Sequence, residues 1–198
     1  MISAVILDLG NVLVFHDNAL LFARIAERFG TTPEALKERL ESGLWDRVNR
    51  GFVPGDALRL ELQQRLEVEV TPAEFEELWS CHFTVNHQMV REVEALVGQR
   101  KLVLLSNTHD LHVKWCKQRV PVLQKFDALV LSCEVGLVKP EEGIYRRALE
   151  ASGVAPHQAV FFDDVERFAQ AAQTVGMHGR VFTTAQKFLA DLAELDRG

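Results

Sequence analysis

Five runs, near residues 3–8, 101–106, 127–132, 159–163 and 179–183, are short, rich in Val, Leu, Ile or Phe, and carry few alternating polar residues. A strand with one wet face alternates between apolar and polar, whereas a strand that does not alternate must be covered on both faces. Parallel strands returned by helices meet that demand, and the segments between the later runs read as helices. Glu141 to Ala151 sets Ile144, Tyr145, Ala148 and Leu149 on one face, with Gly153 as a stop signal. Val165 to Val175 groups Phe168, Ala169, Ala172 and Val175, and Gly176 follows. From residue 89 onward the chain alternates helix and strand, which predicts an α/β fold with a doubly wound parallel sheet.

The stretch between Asp8 and Ser106 is far longer than an ordinary crossover. Only Val68-Glu69-Val70 in it resembles a strand. Thr32-Pro33-Glu34 and Thr71-Pro72-Ala73-Glu74 each place a capping residue before a proline at the first helical position. Leu21, Ile25 and Phe29 fall at helical spacing, as do Phe75, Leu78, Trp79, His82 and Phe83. The expected organisation is a core of residues 1–15 and 89–198, with a helical bundle of residues 16–88 inserted after the first strand. An insert rooted at that edge is placed to act as a lid.

A chain of 198 residues with 47% hydrophobic and 25% charged residues has the composition of a packed globular protein. Its net charge of −6 argues against nucleic acid or an anionic membrane as partner. An anionic substrate would have to rely on local cations. No run approaches the ~18 apolar residues of a membrane helix, and the first run has no basic region before it and no cleavage site after it. Cys81, Cys116 and Cys133 are odd in number and lack metal-ligand spacing, so the reading is small buried hydrophobes in a reducing cytoplasm. Oligomeric state leaves no signature.

Polar groups sit at the ends of, or just beyond, the apolar runs: Asp8, Ser106-Asn107, Lys139 after Leu137-Val138, and Asp163-Asp164. Ligands of open α/β sheets bind in the crevice outside the carboxyl ends of the strands. If those runs are mostly parallel strands, a nucleophile, two phosphate-binding groups and a metal anchor meet there.

Asp8-Leu9-Gly10-Asn11-Val12-Leu13, Ser106-Asn107-Thr108, Lys139-Pro140 and Phe162-Asp163-Asp164 resemble, in order, the four motifs of the haloacid dehalogenase superfamily. The Asp-Leu-Gly-Asn opening is similar to a bacterial branch that includes a glucose-1-phosphatase. The resemblance implies a Rossmann-like core with a helical cap, and a Mg²⁺-dependent phosphatase acting on a small phosphorylated metabolite. It implies Asp8 as the nucleophile forming an aspartyl-phosphate, with Mg²⁺ on the Asp8 carboxylate, the Gly10 carbonyl and the Asp164 carboxylate, and Asp163 behind them. It implies Ser106 and Asn107 as donors to the phosphoryl oxygens, and Lys139 as a cation against the phosphate and Asp8.

Two departures stand out. Most phosphatases of the superfamily carry an acid two residues after the nucleophile; here that position is Gly10. General acid catalysis is worth ~10²–10⁴-fold, so the loss favours a less basic leaving oxygen, as in a sugar 1-phosphate, or a substitute such as His16 or Asp17. After the Asp pair, Val165 and Phe168 replace expected polar residues. His109 and His112 have no third ligand spaced to join them, while Trp45, Arg50 and Gly51 fall between insert helices where a substrate-facing loop or plain packing would serve. The competing readings are a metal-free haloacid dehalogenase, which the Asp163-Asp164 pair disfavours, and a non-catalytic phosphate-binding regulatory protein.

Overall fold

The computed structural model describes the backbone of every residue except Ser42, and the side chains of all but residues 39–42. One sheet contains β1 (Ala4–Leu7), β4 (Lys101–Ser106), β5 (Ala128–Leu131), β6 (Ala159–Asp163) and β7 (His178–Val181). Its order is β5-β4-β1-β6-β7 and every pairing is parallel, so the expected α/β class holds. β1 is central, with Leu7 opposite both Leu104 and Phe162. The chain winds outward on one side through β4 and β5, then on the other through β6 and β7. The reversal at β1 opens the crevice in which ligands of such sheets bind.

Burial explains the missing alternation. Val5 and Leu7 pack toward Met89, Val93 and Phe188, while Ala4 and Ile6 pack toward Ile144, Tyr145 and Ala148. The first layer is supplied by α6 (His87–Leu96), α7 (Asp110–Arg119) and α11 (Ala185–Arg197). The second comes from α9 (Glu142–Ser152) and α10 (Glu166–Ala171). Phe161 and Phe162 are both fully buried on opposite faces, each worth about 1.5–3 kcal/mol of burial.

The insert carries α1 (Asn18–Phe29), α2 (Pro33–Glu41), α3 (Leu44–Asn49), α4 (Gly55–Leu66) and α5 (Pro72–Ser80). Asp17 caps α1 by accepting from the Leu20 N–H at 3.1 Å, and Gly30 ends it in the left-handed conformation that glycine enters without penalty. Thr71 and Glu74 cap α5 reciprocally with Pro72 at its first position. Leu21, Ile25, Leu58, Phe75 and Trp79 form a separate apolar centre.

Several expectations need correction. The insert is rooted in an antiparallel ribbon of β2 (Val14–His16) and β3 (Phe83–Val85). Phe83 therefore belongs to a strand, although its spacing from Phe75 and Trp79 also fits a helix; α5 has already ended at Ser80. Val68–Val70 is not a strand: Arg28 and Arg59 donate to the Glu69 and Val70 carbonyls at 3.0 and 3.1 Å, taking the place of a neighbouring strand. Leu137-Val138-Lys139 ends no strand either, lying in the loop between the short α8 (Ser132–Val135) and α9. Of the cysteines only Cys116 is buried; Cys133 is half-buried and Cys81 exposed, at the end of a helix on the surface of the insert.

Candidate active site

Asp8 follows β1 directly, Ser106 ends β4 and Asp163 ends β6, so three motifs arrive at one edge because three neighbouring strands stop together. Lys139 comes from its loop. The Asn107 amide donates to the Lys139 carbonyl at 3.1 Å, and the Lys139 N–H donates to Asn107 Oδ1 at 2.7 Å. That reciprocal pair fixes the loop and occupies the Asn107 side chain.

The Lys139 ammonium is buried, 2.8 Å from Asp8 Oδ1 and 2.5 Å from Asp163 Oδ2. Its Nζ also sits 5.4 and 5.2 Å from the ring centres of Phe161 and Phe168, so Phe168 is part of its wall. Burial alone would lower the ammonium, but Asp8 and Asp163 outweigh it and hold the pKa above its ordinary value. Burial, and then the neighbouring Asp8 charge, push the Asp163 carboxyl up to about 6 against the pull of Lys139.

The Asp pair divides its work. Both Asp163 oxygens are engaged, one by Lys139 and the other by the Val165 N–H at 2.8 Å. Asp164 accepts from Asn11 Nδ2 at 2.8 Å through Oδ2 and borders the cavity. Support for Asp164 thus comes from the residue three after Asp8, and not from the motif that contains it. Asn11 holds a left-handed backbone, with φ of 52°, and its N–H donates to the Val14 carbonyl at 2.7 Å. Asparagine tolerates that conformation better than most residues. The tight turn it makes sends the chain back into β2.

Ligand oxygens of Asp8, Asp163 and Asp164 lie within 4.8 Å of one another. Three carboxylates against the Lys139 ammonium leave two negative charges uncompensated. Hard oxygen donors with that charge suit Mg²⁺. His109 and His112 form no metal pair among the described residues. His109 Nε2 accepts from Trp79 Nε1 at 2.6 Å, and His112 Nε2 donates to the Trp79 carbonyl at 3.3 Å.

A cavity of about 280 Å³ lies over Asp8, Ser106, Lys139 and Asp164, and the insert contributes Asn18, Trp45, Asn49 and His82 to its wall. A larger hollow of about 550 Å³ beside Val53, Lys117 and Glu134 contains none of the carboxylates, so size does not mark the site. Trp45 reaches the cavity, while Arg50 and Gly51 seat the insert on the core. Arg50 pairs with Glu141 at 2.6 Å, and a Cβ on Gly51 would lie 2.0 Å from the Cys133 carbonyl oxygen. Ser132, missed in the sequence, accepts from the Thr108 N–H at 2.9 Å and donates to the Asn49 carbonyl at 2.6 Å.

A doubly wound sheet with this cluster at its switch point defines a hydrolase of the haloacid dehalogenase type, and the chain belongs to the haloacid dehalogenase-like hydrolase family, matched over residues 2–176. It is 26% identical over 174 residues to D-ribitol-5-phosphate phosphatase of Bacteroides thetaiotaomicron, covering 83% of this chain and 84% of that one. A solved predicted HAD-like family hydrolase from Porphyromonas gingivalis shares the fold with a TM-score of 0.87 at 22% identity, over 100% of this chain and 99% of that one. A HAD family enzyme from Bacteroides thetaiotaomicron, solved with magnesium and inorganic phosphate, matches with a TM-score of 0.82 at 23% identity, over 92% and 94%. No helix among the described residues is long and apolar enough to cross a membrane.

Proposed function

We propose that this hydrolase is a Mg²⁺-dependent phosphatase of a small phosphorylated metabolite, working through an aspartyl-phosphate on Asp8. The observation that carries the reading is the convergence of Asp8, Asp163 and Asp164 in the crevice, with one ammonium held between the first two. Lys139 pairs with Asp8 and orients it, so that a carboxylate oxygen faces phosphorus. The Ser106 hydroxyl and the Asn107 N–H donate to the phosphoryl oxygens. Asp163 keeps Lys139 in place. Asp8, the Gly10 carbonyl and Asp164 would hold Mg²⁺, whose charge offsets the repulsion between carboxylate and phosphate. Water then hydrolyses the aspartyl-phosphate and frees Asp8.

In this reading residues 16–88 are a cap over a core of residues 1–15 and 89–198, and the cap selects the substrate. Asn18, Asn49 and Trp45 line the cavity, residue types suited to hydroxyl groups on a carbon chain. Together with the likeness to D-ribitol-5-phosphate phosphatase, it favours a sugar or sugar-alcohol phosphate. A 1-phosphate, as in the glucose-1-phosphatase branch, and a terminal phosphate are the two forms to compare. A screen of sugar, polyol, nucleotide and carboxylic-acid phosphates with Mg²⁺ tests this: turnover of a polyhydroxylated phosphate is expected. Release of halide from a 2-haloacid in chelator, with no phosphatase activity, would replace the reading with the dehalogenase.

A further inference from the structure

A phosphatase with glycine at residue 10 lacks a side chain there to meet the leaving oxygen. The backbone of Gly10 does not ask for glycine, since it is outside the left-handed region that the other cited glycines occupy. What glycine gives is room. A Cβ built on Gly10 would lie 3.2 Å from both Cδ2 and Nε2 of His16, and 3.8 Å from Oδ2 of Asp8. A side chain at residue 10 and the His16 ring therefore compete for one space beside the nucleophile. We propose that His16 meets the departing oxygen of the ester in place of a residue-10 side chain, an inference that rests on the phosphatase reading.

The turn at Asn11 and the strand that follows hold the ring there. His16 closes β2, is half-buried, and lines the same cavity as Asp8 and Asp164. Its N–H donates to Asn11 Oδ1 at 3.4 Å, its Nε2 lies 3.3 Å from Asn11 Nδ2, and the His82 ring stands edge-on at 6.4 Å. As the bond from Asp8 to phosphorus forms and the bond to the alcohol oxygen breaks, negative charge gathers on that oxygen. A proton carried at Nε2 passes to it and the alcohol leaves neutral. Water attacking the aspartyl-phosphate then gives its proton to the bare Nε2, so turnover ends with no net change at His16. Between transfers the bare nitrogen accepts from the Asn11 side-chain amide Nδ2, which keeps the ring in place.

The test is kcat/KM with Mg²⁺ over aryl and alkyl phosphates of graded leaving-group basicity. His16→Ala is expected to lose ~10²-fold or more on an alkyl phosphate, with the loss shrinking steadily as the leaving alcohol becomes more acidic. Gly10→Asp combined with His16→Ala should recover part of the loss, because the ring no longer takes up the space beside residue 10. Inorganic phosphate binding and thermal melting report whether each variant is folded, and His16→Gln carries the same test should His16→Ala fail to fold. A loss equal on every leaving group, or none on the alkyl phosphate, overturns the proposal. A wild-type enzyme that hydrolyses no phosphate ester at all would sink the phosphatase reading, and this inference with it; a wild-type enzyme indifferent to His16 would sink only this one.

Discussion

At Asp8, a change of one atom would separate chemistry from architecture. Asp8→Asn keeps the size and shape of the side chain but cannot attack phosphorus, so turnover should vanish while the fold survives. Rates near wild type in a folded variant would refute the role. Asn11 allows a different separation. Glycine accepts the left-handed backbone of residue 11, so Asn11→Gly deletes the amide that holds Asp164 without straining the turn. Partners that orient metal ligands are typically worth ~10–100-fold in affinity. Asn11→Gly should therefore raise the Mg²⁺ dissociation constant by that order, as measured by calorimetry, and an unchanged constant would show that Asp164 needs no strut. Asp8, Ser106 and the Asp pair were readable because each sits at the end of an apolar run. The work of Asn11 was not, because it depends on a turn that brings residue 11 against residue 164, and no local pattern encodes that meeting.

Among the elements, the core strands and the second-layer helices α9 and α10 were legible, since continuous apolar runs and helical spacing report burial directly. The ribbon β2–β3 was not. Its strands are three residues each, too short for any period to register, and their partners lie far apart in sequence. The seat of the insert was half legible: Arg50 and Gly51 stood out as packing or a substrate-facing loop, but their partners Glu141 and Cys133 are remote in sequence. Gly51 has φ of +74° and would press a Cβ into the Cys133 carbonyl, whereas Gly30, at φ of +63°, has open space around it. Gly30→Ala should cost only the backbone penalty of about 1–2 kcal/mol. Gly51→Ala should cost clearly more, read from denaturant midpoints of the two variants. Equal losses would mean that the contact between insert and core yields easily.

For the whole molecule, the insert meets the core across a stack of buried imidazoles. Burial lowers His109 and His112 and, with help from His16 and His109, brings His82 down to about 4. A histidine whose folded pKa is depressed binds its proton more readily when unfolded. Its contribution is therefore complete above the unfolded value near 6.5 and is lost as pH falls toward the folded value. Stability should drop between about pH 6.5 and 4, and His82→Phe should flatten that slope by up to about 1.4 kcal/mol per pH unit, whatever fixed cost the substitution brings. Parallel slopes for variant and wild type would exclude His82. The stem of the insert has a wider consequence. His16 lies on β2, the strand by which the chain enters the helices that wall the cavity. A swing of those helices about the ribbon would carry the ring toward or away from Asp8. A guest that props the helices open would then be held yet handled slowly, and discrimination between substrates would be written in turnover more than in affinity.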